Sequence, residues 1–313
     1  MRIVGFTLAR NEEDVIEASI RHNLRSLDAL TVVDHGSDDA TPAILAALVR
    51  EGLPLEVLRD DTPEMRQSDV TTAHARRLLR EGADLCIPID ADEFLRMPSR
   101  EAFERVVSAT DPAVHLVMPW LTYLPALDAP GDLVARLEHA RRKIDERHGF
   151  YKVIVRRALL DTPDAAVGNG NHHVKVRGQT HLAHEALHGS VAALAHVPVR
   201  SAGQFTSKVA VGWLAVRLAD EDEARIAFHW HEEFLGLLAG RPITHDRLAS
   251  IVANYSVGTA ERVDPAQVRW LEDPFLGDIA LRYTPSRPPN PLARILTFGE
   301  RVAAEVARAT GGL

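Results

Sequence analysis

The chain has 313 residues, 46% of them hydrophobic and 26% charged, enough for one large α/β domain or one domain with a substantial extension. Its formal net charge of −8 gives no electrostatic reason to expect nucleic acid as the main partner. The single cysteine, Cys86, excludes disulfides within the chain, and no apolar stretch is long enough to span a bilayer. The first residues do not resemble a signal peptide. We therefore expect a soluble, cytoplasmic protein, and leave peripheral attachment to the inner membrane and homo-oligomerisation open.

The first hundred residues alternate apolar, β-rich runs with helical segments on short connections. Strands are predicted over residues 2–8, 29–33, 55–59 and 85–89, and helices over residues 11–26, 41–52 and 68–81. Asn11 is a suitable N-cap for the first helix, and Pro42 suits the first turn of the second. Strands that alternate with helices in this way favour a mostly parallel, doubly wound α/β sheet.

The pattern is less regular after residue 100. Further strands are predicted over residues 114–118, 151–156 and 192–197, and helical spacing occurs within residues 128–149. Helices are predicted over residues 202–218, 223–239 and 245–256, followed by a terminal helix that ends near residue 310. We expect a catalytic domain over residues 1–220 and a helical C-terminal extension over residues 221–313.

Two carboxylates follow the fourth predicted strand. Asp90 and Asp92 are separated by one residue, and side chains at i and i+2 of an extended chain point to the same side. They can therefore direct two oxygen ligands at one cation beyond the end of a strand, where open α/β sheets bind ligands. An acidic turn without a ligand is the alternative, because aspartate is common in turns.

The sequence lacks both common loops that bind phosphate through the backbone. A dinucleotide site needs G-x-G-x-x-G after the first strand, whereas residues 8–13 contain no glycine and two glutamates. No G-x-x-x-x-G-K-[ST] sequence occurs either. A bound diphosphate would therefore have to be neutralised elsewhere, and Asp90 and Asp92 acting through a divalent metal are the obvious means.

Three segments together carry a family resemblance. Residues 8–13 (LARNEE), 33–41 (VDHGSDDAT) and 89–94 (IDADEF) resemble the family-2-type glycosyltransferases with the GT-A fold, in the bacterial branch with an Asp-Ala-Asp-Glu-Phe motif. The resemblance covers about the first hundred residues in order and spacing. A weaker similarity continues through Lys152, the turn at residues 170–172, and residues 196–208.

The resemblance implies a role for each matching residue. Those implied to hold the base and ribose of a sugar nucleotide are Ala9, Arg10, Asn11, Glu12 and Asp34, with Asp38 or Asp39 supporting that pocket. Asp90 would face the ribose or the metal, and Asp92 would bind the Mn²⁺ or Mg²⁺ that bridges the diphosphate. His196 would complete the metal shell. In physical terms, a metal stabilises the charge that develops on a diphosphate leaving group.

The base that accepts the proton of the acceptor hydroxyl is harder to assign. An inverting transfer needs a carboxylate or histidine opposite the leaving group, and the candidates are His172, Glu185, Asp145 and Glu93. Glu185 lies at about the distance from the metal motif that is usual in the resembled family. We therefore take Glu185 and His172 as the candidate catalytic residues.

Two roles are possible for several other polar and aromatic residues. Lys152, Arg200 and Lys208 are either phosphate or acceptor contacts or ordinary surface cations. A histidine-rich stretch could form a zinc site, but it contains no H-E-x-x-H and has no cysteine partner. Its members are His172, His173, His181, His184 and His188. Aromatic residues that could stack on a sugar, or pack in the core, are Trp120, Tyr123, Trp213 and Trp230.

The motifs together predict a metal-dependent, inverting glycosyltransferase of the hexosyltransferase type. It would move a sugar from a nucleotide-diphosphate donor to an unidentified glycan, lipid-linked or small-molecule acceptor, in glycan biosynthesis. A nucleotidyltransferase-like enzyme is one alternative, although such enzymes normally carry a glycine-rich basic loop that residues 10–13 do not supply. A non-catalytic nucleotide- or glycan-binding module is another, and the intact Asp90 and Asp92 argue against it.

Overall fold

The structure is a computed structural model that describes residues 1–146, 150–176, 182–219, 228–255, 257, 261–287 and 290–310. The strands are β1 Ile3–Ala9, β2 Ala29–Asp34, β3 Leu55–Arg59, β4 Leu85–Pro88, β5 Glu93–Arg96, β6 His115–Leu124, β7 Arg141–Lys143, β8 Tyr151–Arg156, β9 Ala165–Val167, β10 Val174–Val176, β11 His184–Ala186, β12 Ala193–His196 and β13 Trp270–Glu272. The α-helices are α1 Ile16–Asn23, α2 Thr41–Arg50, α3 Gln67–Arg80, α4 Arg100–Ser108, α5 Leu133–Leu137, α6 Ala202–Ala219, α7 Phe228–Leu238, α8 His245–Ala253 and α9 Pro291–Ala309.

Four parallel strands form the centre of the sheet, in the order β3-β2-β1-β4. Strand β8 continues the sheet antiparallel to β4, and β6 follows antiparallel to β8. Strand β12 lies parallel to β6 and antiparallel to β5, which connects the segment after β4 to the far half of the sheet. The carboxyl ends of β1 and β4 are adjacent, because Phe6 and Pro88 are in register. The loops after these two strands therefore meet.

Helices cover both faces of the parallel strands. They are needed on both, because the hydrophobic side chains of β1 point alternately to one face and to the other. Ile3 belongs to a buried cluster that includes residues of α1 and α2, whereas Val4 and Phe6 pack with residues of α3 on the other face. This arrangement confirms the expected α/β class, with a parallel central sheet and helices in the C-terminal part, as in a GT-A-like fold.

Some predicted elements differ from the observed ones. Helix α1 begins at Ile16 rather than at residue 11, because Asn11 has φ +58° and lies in a loop instead of capping a helix. The helical spacing in residues 128–149 produces only the five-residue helix α5, followed by β7. The strands β5, β7, β9, β10, β11 and β13 were not predicted. Residues 220–227 and Ser256 lie outside the described residues, and with them the predicted domain boundary and the start of the helix predicted at residue 223.

The C-terminal part packs against the sheet domain. Helix α6 contacts both α7 and α9. The buried carboxylate of Glu17, in α1, accepts hydrogen bonds from the backbone N–H groups of residues 282–284 at 2.8–2.9 Å. One side chain thus fastens the segment that leads to α9. No helix among the described residues is both long and apolar enough to cross a membrane.

Candidate active site

A cavity of about 420 Å³ lies beyond the carboxyl ends of β1 and β4. The sheet side of its wall comes from residues 10–12 after β1 and residues 90–92 after β4. Helix α6 forms the opposite side with polar residues near its start and apolar ones further along, namely Gln204, Ser207, Lys208, Val211, Gly212 and Val216. Aromatic side chains complete the wall, namely Trp120, Phe150, Trp230 and Tyr255. The cavity therefore lies where an open α/β sheet is expected to bind a ligand.

Asp90, the first acid of the pair, is fully engaged by protein donors. It accepts hydrogen bonds from Lys152 Nζ at 2.7 Å, Asn171 Nδ2 at 3.0 Å and Gln67 Nε2 at 3.1 Å. Asn171 has φ +57°, a conformation that asparagine tolerates better than most residues. Neither Gln67 nor Asn171 was identified from the sequence as a site residue, although the glycine- and asparagine-rich turn at residues 168–171 was a local signal.

Asp92 is buried and surrounded by positive charge. Its Oδ2 accepts a hydrogen bond from Lys208 Nζ and lies 3.6 Å from Arg200 Nη1. Burial alone would raise the pKa of Asp92, but Lys208, His196 and Arg200 more than offset this, and the pKa lies well below its usual value. Asp92 is therefore ionised at neutral pH in the wall of the cavity.

Arg200 joins Asp92 to the loop after β1. Its guanidinium donates to Asp14 Oδ2 at 2.8 Å and to Asp14 Oδ1 at 3.0 Å, and it also donates to Glu12 Oε2. Burial raises the pKa of Glu12 to about 7, against the opposing effects of Arg200 and Lys208. Glu12 lines the cavity, so its protonation changes the local charge near neutral pH.

Lys152 compensates a second group of carboxylates. Its buried ammonium lies 2.7 Å from both Asp90 Oδ2 and Glu93 Oε1, and 5.4 Å from the centre of the Trp120 ring. Burial raises the pKa of Glu93, while Lys152 opposes that rise. The side chains of Lys152, Arg200 and Lys208 are only 1%, 0% and 18% exposed, so they are not ordinary surface cations.

Two histidines line the cavity in a neutral state. Burial lowers the pKa of both His172 and His196 to about 4. His172 Nδ1 lies 2.8 Å from the Tyr151 carbonyl oxygen, and a carbonyl can only accept, so we assign the proton to Nδ1. The lone pair of His172 is then on Nε2. The His196 ring lies 4.3 Å from the Trp120 ring, at an angle of 30° to it.

Asp92 and His196 provide donors that suit a divalent metal. Asp92 Oδ2 and His196 Nε2 are 3.7 Å apart, and two bonds of about 2.1 Å can span that distance. His196 Nδ1 is buried and has no hydrogen-bond partner among the described residues. No cluster of three or more histidine, cysteine or acidic side chains that could hold a metal occurs in the described ranges. This donor set fits an ion shared with substrate phosphates, as is usual for Mg²⁺, rather than one enclosed by protein alone.

Several residues implied to bind the nucleotide lie outside the cavity wall. Asp34 pairs with Arg59 at 2.5 Å, Asp39 pairs with Arg294 at 2.5 Å, and Asp38 pairs with Arg301. Ala9 is buried at the end of β1, and its carbonyl accepts a hydrogen bond from the N–H of His35. Arg10 and Asn11 do line the cavity. The implied set is therefore divided between the wall and the loops behind it.

The structure does not bring Glu185 to the cavity, which corrects its assignment as a candidate base. Glu185 is exposed on β11 and pairs in register with Leu116, near the start of β6, whereas the cavity lies beside Trp120. Four residues of a strand span about 13 Å, which is too far for proton transfer. The spacing of Glu185 in the sequence could not reveal this register.

The remaining candidate histidines and aromatic residues are also divided between the cavity wall and positions outside it. Trp120 and Trp230 line the cavity, whereas Tyr123 donates a hydrogen bond to Asp273 at 2.6 Å and Trp213 stacks on His231. In the histidine-rich stretch, His184 Nε2 accepts a hydrogen bond from the N–H of Val174, and His188 interacts with Ser190. His181 lies outside the described residues.

Comparisons with known proteins find likeness in structure only. No protein-family profile matches the sequence, and no curated protein matches it. A mannosyltransferase from Pyrobaculum calidifontis in complex with GDP-Man and Mn²⁺ aligns at 23% identity over 39% of this chain and 35% of its own, with a TM-score of 0.29. Glucosyl-3-phosphoglycerate synthase from Mycobacterium tuberculosis in complex with Mn²⁺, UDP and glucosyl-3-phosphoglycerate aligns at 23% identity over 38% of this chain and 43% of its own, with a TM-score of 0.26.

A third similar structure belongs to a different class of enzyme. The 4-diphosphocytidyl-2C-methyl-D-erythritol synthase structure aligns at 16% identity over 51% of this chain and 77% of its own, with a TM-score of 0.31. The first two proteins are GT-A-type glycosyltransferases, and this chain spans less than half of either one. The similarity to all three structures is thus partial.

Proposed function

We propose that this protein is a glycosyltransferase that binds a nucleotide-diphosphate sugar in the cavity between β1, β4 and α6. The observation that carries the proposal is the set of buried charges around Asp92. Lys208 and Arg200 contact or approach this carboxylate beside a cavity large enough for a small-molecule ligand. Such fixed charges suit a diphosphate whose negative charge increases as it leaves.

In this proposal Asp92 and His196 hold a Mn²⁺ or Mg²⁺ ion. When bound, the metal would supply Lewis-acid stabilisation of the leaving diphosphate. Lys208, whose ammonium would repel an ion bound at Asp92 Oδ2, would turn from that oxygen and donate to the phosphate. Arg200 stays between Asp92 and Asp14, and so keeps the carboxylate ionised and aimed into the cavity.

His172 is the proposed base, replacing Glu185. Its Nε2 carries the lone pair in the tautomer set by the Tyr151 carbonyl, and the residue lines the cavity. Accepting the proton of an acceptor hydroxyl there fits an inverting transfer to that oxygen. Trp120 and Phe150, beside His172, provide aromatic surface for a sugar of the hexose type. Asn11 and Arg10 also line the cavity, and we propose that they contact the nucleoside.

The test is a panel of nucleotide sugars, scored by thermal shift and donor hydrolysis with Mn²⁺ and with EDTA. A uridine, guanosine or thymidine diphosphate sugar at about 100 times its Kd should stabilise the protein by about 2.7 kcal/mol. For a chain of 313 residues this is a rise in Tm of about 4 °C. The rise should require metal and disappear in Asp92→Asn, but persist in Asp161→Asn, at an exposed site outside the cavity wall.

The product distinguishes the reaction class. Release of a nucleoside diphosphate supports sugar transfer, whereas release of pyrophosphate from a nucleoside triphosphate would show a nucleotidyltransferase. Equal stabilisation in EDTA would refute the metal-bridged mechanism. A chain that binds no member of the panel would refute the proposed function.

A further inference from the structure

Helix α9 contacts the two loops that follow β1 and β2, here called the β1 loop (residues 10–14) and the β2 loop (residues 35–40). Phe298 anchors the helix: its side chain is buried with Val211 and Ala215 of α6. The guanidinium of Arg10, in the β1 loop, lies 5.5 Å from the centre of the Phe298 ring. Helix α9 is thus placed against both α6 and the β1 loop.

Arg294 connects three elements at one buried point. Its Nη2 donates to Glu13 Oε1 at 2.9 Å in the β1 loop and to Asp39 Oδ2 at 2.5 Å in the β2 loop. Its Nη1 donates to Ser207 Oγ at 3.2 Å, in the part of α6 that lines the cavity. The side chain of Arg294 is 4% exposed, so solvent cannot replace these contacts readily.

Arg301 lies further along α9 and makes a second set of contacts. Its Nη1 donates to the Gly36 carbonyl at 2.5 Å, and its Nη2 donates to the Asp38 carboxylate. Gly36 has φ +64°, and a Cβ at that position would lie 1.9 Å from Arg301 Nη1. The N–H of Asp38 in turn donates to Asn11 Oδ1 at 2.8 Å. A continuous series of contacts therefore leads from Arg301 to Asn11, in the cavity wall.

The two arginines compensate carboxylates that would otherwise repel one another. Glu13, Asp38 and Asp39 lie in loops that face each other, and the N–H of Glu13 donates to Asp39 Oδ2 at 3.2 Å. Like charges in facing loops destabilise a close approach of those loops unless cations lie between them. Because the β2 loop does not itself line the cavity, its effect on a ligand must pass through Asn11 and its neighbours in the β1 loop.

We propose that α9 completes the donor site, with Arg294 and Arg301 as positioning residues that hold the β1 loop in the conformation that contacts the nucleoside. This inference rests on the proposed function for the identity of the ligand, but the effect on the loops does not. Loss of either arginine frees the β1 loop to move away from the cavity and weakens recognition of the nucleoside. Lys152 pairs with Asp90 and Glu93, and Lys208 pairs with Asp92, so in the ligand-free protein these ion pairs involve neither arginine.

The experiment compares Arg294→Met, Arg294→Lys and Arg301→Met with Arg308→Met, an exposed arginine on the same helix that pairs with Glu305. The first measurement is hydrogen exchange in the ligand-free protein. We expect amides of residues 11–14 and 36–40 to exchange at least about tenfold faster in Arg294→Met and Arg301→Met, with β4 amides unchanged. Arg294→Lys should recover part of the protection, and Arg308→Met should match the wild type.

The second measurement is binding of UDP, GDP and inorganic pyrophosphate. The Kd of the nucleoside diphosphate should rise by about ten- to a hundredfold in Arg294→Met and Arg301→Met, as expected for lost charged hydrogen bonds. The Kd of pyrophosphate should change by less than about twofold, a split that general destabilisation would not give. Should Arg294→Met fail to fold, Arg301→Met, whose side chain is 17% exposed, carries the test.

The outcomes separate the two proposals. Loop exchange and nucleotide affinity that both match the wild type would overturn the role of α9. Equal losses for pyrophosphate and nucleotide would also overturn it. If the wild-type protein binds no nucleotide, the proposed function fails, and the exchange measurement alone then decides whether α9 holds the loops.

Discussion

Replacement of Arg200 with methionine should destabilise the protein strongly, because its buried guanidinium compensates three carboxylates at once. It forms two hydrogen bonds with Asp14, at 2.8 and 3.0 Å, pairs with Glu12, and lies 3.6 Å from Asp92. Methionine preserves much of the volume and removes the charge. Glu12, Asp14 and Asp92 would then lose their shared cation, and Lys208 would remain beside Asp92.

The size of the effect follows from the distances. At an effective dielectric constant of about 20, opposite charges 3.6 Å apart attract by about 4–5 kcal/mol before desolvation is subtracted. Breaking a buried ion pair by removing one partner costs about 3–5 kcal/mol net. The unfolding entropy of a 313-residue chain is about 0.7 kcal/mol/K. We therefore expect Tm to fall by about 5–8 °C at pH 8.

The pH dependence of this loss has a definite sign. Removing Arg200 raises the pKa values of the carboxylates that it compensates in the wild type. The folded variant therefore binds more protons than the folded wild type. In the wild type, burial would raise the pKa of Asp14, but Arg200, together with Arg294 and a backbone hydrogen bond, lowers it below its usual value. The stability difference between the two proteins should be largest at pH 8 and shrink steadily toward pH 4.

Thermal unfolding followed by circular dichroism across this pH range provides the measurement. Arg200→Lys should lose less than Arg200→Met, since it keeps the charge but cannot bridge Glu12 and Asp14 in a fork. Arg269→Met is the control, because that arginine is 72% exposed and its pair with Asp145 is expected to contribute little. A Tm for Arg200→Met within about 1 °C of the wild type at pH 8 would refute the compensating role of Arg200.

Three other substitutions test separate parts of the structure. Glu17→Gln should cost about 1.5–3 kcal/mol in urea unfolding at pH 7, and the difference from wild type should shrink as the pH falls below the usual pKa of glutamate, because the hydrogen bonds to Glu17 lower its folded-state pKa despite burial. Lys208→Met should bind Mn²⁺ about tenfold more tightly without nucleotide, measured by electron paramagnetic resonance, because the ammonium no longer competes for Asp92; weaker Mn²⁺ binding would contradict this. Gly212→Val should cost about 1–3 kcal/mol and change the tryptophan fluorescence, because a Cβ at this position lies 2.9 Å from the Trp230 ring; unchanged emission and Tm would show that the ring is not packed there.

The sequence allowed the local parts of the site to be predicted. The acidic motif at residues 90–92 and the loop at residues 10–12 are continuous segments after regular strands, and both occur at the cavity. His196, which is far away in the sequence, also lies at the cavity. It could be predicted because the family resemblance extends to the segment that contains it. Residues could therefore be assigned to the cavity where they belong to a continuous segment or to a motif of the resembled family.

The parts that failed depend on strand register and on long-range packing. Glu185 lies beside Leu116 because β11 pairs with the start of β6, and no periodic pattern specifies such a register. Arg294 and Arg301 resemble ordinary basic residues of an amphipathic helix. Their carboxylate partners lie more than 250 residues earlier, and no local signal links the two regions. The positive φ of Asn11 likewise results from the contacts of its loop rather than from a pattern in the chain.

The contact between Arg294 and Glu13 also has a consequence for biosynthesis, because these residues are separated by 281 positions. The four central strands can pair once fewer than a hundred residues have been made. At about 5–20 residues per second, the ribosome adds the arginine roughly 15–55 s after the glutamate. During that interval the acidic loops have no basic helix beside them and stay open to solvent. The nascent chain can thus pair its central strands early and completes the contacts of these two loops late, in a step that waits for translation rather than for folding.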